Sequence, residues 1–263
     1  MGNLFKIGCF FYCIAIAGIG LQAIYDHNLP YIVPLPEHFR QPGAIAIALV
    51  FGVIFVLAGA SVVFEKKTRP VSIVFGAVLL LIFCFYYIPY ELLTSANYLH
   101  LAEWENAAKE LAFAGGAFVI AGCYQRENEN QLIRFLGKLI PLGAVFFAIP
   151  IISFGILHFM VAKEAATLVP SWIPGHLFWI YFCGAALIGS GVAILFKIKV
   201  GLVAALLGLM IFLWVVSLHI PRVVAAPAAY LGAEITSAFL ALAYSGIAFV
   251  ISGATKKASN SST

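Results

Sequence analysis

Eight stretches of this chain are apolar for long enough to cross a lipid bilayer, at about residues 5–25, 43–64, 70–88, 108–124, 138–160, 175–196, 199–219 and 231–253. A hydrocarbon core of about 30 Å takes roughly 20 apolar residues of helix, and only a helix satisfies the backbone of a lone span from within. The pattern predicts an all-α, polytopic membrane protein with eight transmembrane helices. Composition agrees, because 63% of the 263 residues are hydrophobic and 10% charged, whereas a water-facing surface is roughly a quarter to a third charged. No length remains for a soluble domain, and a net charge of +4 does not point to nucleic acid as a partner. The partner the sequence does imply is the lipid bilayer.

The few charges are sorted. With the N-terminus placed in the cytoplasm, eleven of the fifteen Lys and Arg fall inside: Lys6, Lys66, Lys67, Arg69, Arg126, Arg134, Lys138, Lys197, Lys199, Lys256 and Lys257. Only Arg40, Lys109, Lys163 and Arg222 fall outside. Every loop in turn obeys the positive-inside rule, so both termini are expected in the cytoplasm, and the bacterial inner membrane is the expected location. All six histidines and eight of the eleven acids fall on the outer side. The first span, preceded by Lys6, has the charged start and apolar core of a signal peptide, but the repeat described next would be one helix short without it. The five cysteines lie inside apolar runs with no CxxC pair and read as small buried hydrophobes.

The halves resemble each other. Val33-Pro34 aligns with Val169-Pro170 at an offset of 136, and Ile88-Pro89 with Ile220-Pro221 at 132. Ala112–Gly122 lies over Ala243–Gly253 at 131, a register that also sets Glu103 over Glu234. Four spans per unit is an even number, so both units enter the membrane in the same sense. The expected organisation is two parallel-repeat four-helix bundles side by side, residues 1–125 and 138–253, packed through small residues such as Gly20, Gly52, Gly115, Gly189 and Gly246. A disordered tail is expected over 254–263.

Polar groups within or at the mouths of spans are costly unless partnered or functional. His158 lies near the outer end of span five and aligns at 136 with Gln22. His219 closes span seven, two residues before Pro221, which is expected to end that helix. Glu234 begins span eight and Glu103 approaches span four. Clustered at one depth, His158, His219 and Glu234 could hydrogen-bond a ligand head or relay protons; no HxxxH or HxxE pair sets two metal ligands on one face. Trp172 and Trp214 stand near the outer boundary, as a belt or as walls of a site. No nucleotide loop, hydrolase elbow or zinc-protease motif occurs, so no enzymatic activity is assigned.

The runs Phe154-Gly-Ile-Leu-His158-Phe159, Leu168-Val-Pro-Ser-Trp172-Ile-Pro174, Trp179-Ile-Tyr-Phe-Cys-Gly184 and Leu218-His-Ile-Pro-Arg222 resemble the DoxX-like family of four-helix membrane proteins. The first half resembles it through Val33-Pro34, Ile88-Pro89 and Trp104–Leu111, so a tandem spans nearly the whole chain. After Gly184 the chain has no acid over Ala185–Leu187, where relatives often carry a Glu. The resemblance implies a four-helix fold and an association with membrane redox assemblies, such as quinol oxidase or thiosulfate-to-quinone electron transfer. The expected function is an accessory or subunit of a membrane redox system that binds a quinone, or another lipid-soluble molecule, near the outer leaflet. His158, His219 and Glu234 would then contact the head, Gln22 and Glu103 would be their first-half counterparts, and Trp172 and Trp214 would line the site. A small-molecule or lipid transporter, or a purely structural subunit, is the alternative.

Overall fold

The computed structural model describes residues 2–34, 43–64, 67–126, 128–225 and 232–260, the last five without their side chains. Glu37, His38, Phe39, Arg40, Glu65, Lys66, Glu127 and Tyr230 lie outside the described residues, as do the side chains of Lys256 and Lys257. Among the described residues the chain is all-helical. The long helices are α1 (Asn3–Asp26), α2 (Gly43–Val63), α3 (Thr68–Thr94), α4 (Glu105–Cys123), α5 (Gln131–Met160), α6 (His176–Leu195), α7 (Val200–Ala225) and α8 (Ala233–Asn260). Helix α8 thus continues past residue 254, where a disordered tail was expected.

Seven of these helices are long and apolar enough to cross a membrane; the exception is α4. Its first turns carry Glu105, Lys109 and Glu110, and nearly all of it from Ala107 to Cys123 is buried against other helices. A helix enclosed by protein need not present an apolar surface to lipid, and ionisable groups at this depth face the interior of a bundle.

The helices pack antiparallel, and the tightest crossings are made at glycines. A Cβ on Gly8 of α1 would lie 2.6 Å from the Gly246 carbonyl of α8, and one on Gly246 would lie 2.7 Å from the Gly8 carbonyl. Gly115 of α4 and Gly143 of α5 block each other in the same way, at 2.6 and 2.9 Å. Gly20 meets Gly52 between α1 and α2, and Gly155 meets Gly184 between α5 and α6. Gly76 of α3 faces the Ala114 carbonyl of α4, and Gly208 of α7 faces the Ser245 carbonyl of α8. The Ser245 hydroxyl in turn donates to the Gly208 carbonyl at 2.8 Å. Each first-half contact recurs in the second half, with the offset set by the helices that make it. Such backbone approach is how helices associate where lipid removes the hydrophobic drive between them.

These contacts differ from two bundles standing side by side. Helix α1 packs along α8 and α4 along α5, each across the halves, as extensively as α1 packs on α2 or α5 on α6. The centre is formed by α1, α4, α5 and α8, with α2, α3, α6 and α7 outside them. Tyr12 of α1 reaches through this centre and donates to the Phe113 carbonyl of α4 at 2.8 Å.

Two further features recur in the register that sets Ile88-Pro89 over Ile220-Pro221. Lys67 and Lys199 adopt left-handed backbone, with φ of 53° and 41°, in the tight turns before α3 and α7. Both helices then widen into a π-turn, at Phe83–Tyr87 and Val215–His219, just before Ile-Pro. The prolines were expected to end these helices near residues 88 and 219; instead the π-turn absorbs the missing amide, and the helices run on to Thr94 and Ala225. Gly189, expected to serve packing, has nothing within 4 Å of its Cβ position.

Gly246→Val should therefore destabilise the protein by about 1–3 kcal/mol, whereas Gly189→Ala should be neutral or slightly stabilising; thermal unfolding of the two variants in detergent gives the comparison.

Candidate functional site

At the end of the helices opposite the Lys- and Arg-rich turns, α5, α6, α7 and α8 diverge around a cavity of about 450 Å³. Such a volume lies within the range of small-molecule sites, which are largely apolar with a few convergent polar groups. The apolar wall includes Ile151, Phe154, Leu157, Ile180, Leu187, Met210, Leu218 and Leu240. The short helix Ala162–Ala166 covers one side, its Ala162 and Ala166 packed with Val169 and Ile180.

The polar groups are few and each is fixed by a different element. On α5, His158 Nδ1 stands 2.7 Å from the Phe154 carbonyl. A carbonyl only accepts, so Nδ1 carries the proton, and Nε2 of the neutral ring is left as an acceptor. His219 is the last residue of the π-turn in α7, and its Nδ1 is buried without a hydrogen-bond partner. The hydroxyl of Tyr244 on α8 is likewise buried and unpartnered. Both residues line the cavity. A buried polar atom left unpaired costs about 1–3 kcal/mol, so two on one cavity wall is the feature that most marks it as a site.

The first half contributes Tyr31, Ala102, Glu105 and Lys109 to the lining. Lys109 of α4 is buried, pairs with Glu105 at 2.7 Å, donates to Asn106 Oδ1 at 3.2 Å, and lies 5.1 Å from the ring centroid of Tyr31. The Tyr31 hydroxyl stands 3.1 Å from Ser237 Oγ on α8. On the far wall the Trp214 indole N–H donates to Cys183 Sγ at 3.0 Å. Beyond that pair lies a second groove of about 930 Å³ between α6 and α7, lined by Trp172, Trp179 and Trp214. Cys183, Met210 and Trp214 are common to the cavity and the groove.

The sequence-derived candidates divide accordingly. His158, His219 and Trp214 line the one cavity. Glu234 does not: its carboxylate is engaged by Arg222, through Nε at 2.8 Å and through Nη2. Gln22 bridges the halves, donating to the Gly232 carbonyl at 3.0 Å and accepting from Thr236 Oγ1 at 2.9 Å. The glycine crossings match Gly8 with Gly143 and Gly20 with Gly155, a register of α1 on α5 that pairs His158 with Ala23 and makes Gln22 no counterpart of it. Glu103 is exposed on a 3-10 turn, Leu101–Trp104, outside the cavity. Trp172, 71% exposed, stands in the outer groove. Tyr244, Lys109 and Tyr31 were not anticipated. Among the described residues, no three His, Cys, Asp or Glu side chains gather as a metal site would need.

The corresponding positions in the first half carry other side chains. Tyr87, which precedes Ile88-Pro89 as His219 precedes Ile220-Pro221, is fully buried and donates to the Ile32 carbonyl at 2.8 Å. Phe113 occupies the position of Tyr244 in the alignment of Ala112–Gly122 with Ala243–Gly253, and it has no hydroxyl to satisfy.

Comparison of the chain with family models, with curated proteins and with solved structures returns no match.

Tyr244→Phe should leave the unliganded fold as stable as before or more so, because it removes a buried unpaired hydroxyl. Tyr12→Phe and Tyr87→Phe, which each abandon a made hydrogen bond, should lose about 1 kcal/mol; equal losses in thermal unfolding for all three would show that the Tyr244 hydroxyl is satisfied.

Proposed function

We propose that this multi-pass membrane protein holds a lipid-soluble small molecule with a hydrogen-bonding head in the cavity of its second half. A quinone is the leading class, and the protein would serve as an accessory or subunit of a membrane redox system. The observation that carries the proposal is that His219 and Tyr244, whose Nδ1 and hydroxyl are buried without a hydrogen-bond partner, both line one apolar cavity together with His158. A quinone offers carbonyl acceptors to the tyrosine hydroxyl and to an imidazole N–H; its quinol form offers hydroxyl donors to an imidazole acceptor. The redox role itself rests on the DoxX-like resemblance of Phe154–Phe159, Leu168–Pro174, Trp179–Gly184 and Leu218–Arg222.

The groove between α6 and α7 suits a ligand arriving from the bilayer, since it is flanked by exposed side chains such as Phe182, Leu206, Leu209 and Leu213. Trp214 and Cys183 form the partition between groove and cavity. With α4 counted as an eighth span, the repeated glycine crossings, left-handed lysines and π-turns favour two parallel four-helix repeats related by an axis along the membrane normal. The positive-inside rule then sets both termini in the cytoplasm and the cavity at the outer leaflet of a bacterial inner membrane.

A second reading, transport of a small molecule or lipid, is favoured by the π-turns, which interrupt α3 and α7 at corresponding positions. Uptake into proteoliposomes would distinguish it from a static binding role.

Purified from membranes, the protein should carry extractable quinone. His158→Ala combined with His219→Ala should lower its affinity about tenfold or more, while Glu234→Gln, whose carboxylate is committed to Arg222, should leave it unchanged. Quinone content unaffected by the double substitution would overturn the proposal.

A further inference from the structure

At the opposite end of the molecule, the start of α3, the α4–α5 turn and the first turns of α5 enclose a hollow of about 440 Å³ lined by Arg69, Arg126, Glu129, Arg134, Phe135 and Lys138. Its base is rigid. Arg69 Nε donates to Glu129 at 2.7 Å, and its Nη1 donates to the carbonyls of Ala121, at 2.8 Å, and Tyr124, at 3.3 Å, tying α3 to the end of α4. Glu129, with its side chain only 5% exposed, is shared with Arg126 at 3.3 Å. Among the described residues, one buried carboxylate thus faces four cations. Arg134 and Lys138, one helical turn apart, have no acidic partner among the described residues.

Cations gathered around a concave surface repel one another unless an anion joins them, and guanidinium groups match the oxygens of a phosphate in bidentate fashion. The depth of the hollow narrows the choice. On the same first turns of α5, Leu132 and Phe135 are 61% and 64% exposed, and Lys138 Nζ lies 5.8 Å from the centroid of the Phe135 ring. Exposed apolar side chains interleaved with basic ones are the pattern of a helix lying at the boundary between headgroups and acyl chains. Basic pockets between transmembrane helices at this face take lipid phosphates.

We propose that this hollow binds a phosphate group, that of an anionic phospholipid in the cytoplasmic leaflet, with Arg126, Arg134 and Lys138 as its ligands and Arg69 and Glu129 as the fixed base that positions them. In the register that sets Lys67 over Lys199, Arg69 falls on Gly201, where a Cβ would meet Thr255 Oγ1 at 2.8 Å, so among the described residues the second half has no arginine at the equivalent position. It is independent of the quinone cavity.

The test uses full-length protein purified in detergent, delipidated and titrated with phosphatidylglycerol in a phosphatidylcholine background, with bound lipid read by native mass spectrometry. Arg126→Gln with Arg134→Gln and Lys138→Gln should weaken phosphatidylglycerol binding about tenfold or more. Lys197→Gln with Lys199→Gln, which removes charge from the same end but outside the hollow, should leave it unchanged. Arg134→Gln alone, an exposed substitution that spares the Arg69 base, should give a smaller loss in the same direction and guards against misfolding of the triple variant. A parallel titration with inorganic phosphate separates the sources: phosphate that binds as tightly as the lipid and displaces it would overturn the lipid assignment. Equal phosphatidylglycerol binding by wild type and triple variant, or equal losses in the triple and the Lys197/Lys199 variants, would overturn the site.

Discussion

Backbone contact at paired glycines is the constraint from which the rest of this architecture follows. Where Gly8 meets Gly246 and Gly115 meets Gly143, two helices approach until the carbonyl of one occupies the place a Cβ would need on the other. In a bilayer, where lipid tails are as apolar as leucine, close packing replaces hydrophobic exclusion as the source of association. Because these crossings join α1 to α8 and α4 to α5, they interlock the halves. The centre becomes crowded enough to enclose Tyr12, Phe113 and Phe147 completely, while the outer helices are freer to diverge. The cavity forms where that divergence begins.

The same crowding lets α4 carry ionisable groups. Lys109 is stabilised by Glu105, Asn106 and the face of Tyr31, beside a cavity lined mostly by the other half. Its charge is therefore a tolerated burial that also lines the cavity. The π-turn acts in a comparable way on α7. It shifts the helical register just before Pro221, leaving His219 on the cavity wall with an unpaired nitrogen.

Much of this was legible in the residues, and the failures have physical causes. Hydropathy located seven long apolar helices because lipid-facing helices must be apolar; the eighth expected span falls on α4, which is enclosed by protein and does not qualify by length and composition. His158 and His219 stood out because histidine is rare at such depth. Glu234 stood out for the same reason, but a carboxylate at a helix start satisfied by an arginine on the facing helix is invisible without the fold, and only the nearness of Arg222 to His219 in sequence hinted at it. Tyr244 was missed because it sits in an apolar match with Phe113, where one added hydroxyl carries no signal in the sequence. Apolar matches carry little information about how α1 aligns with α5, and the glycine crossings suggest an offset of 135 where the sequence reading took 136.

The interlocked halves also bear on how such a molecule could have arisen. Exchange of the two halves carries the α1/α8 contact onto the α5/α4 contact, the relation of an isologous interface in a homodimer, where one patch meets its own copy. In a dimer of identical four-helix subunits, any change to a pocket changes both pockets at once. In a single continuous chain the halves can differ: Tyr87 donates to the Ile32 carbonyl while His219 lines the cavity, and Arg69 lines a basic hollow while Gly201 lies against Thr255. Within one chain the two halves need not match, and here most of the cavity lining comes from the second half, with Tyr31, Ala102, Glu105 and Lys109 from the first.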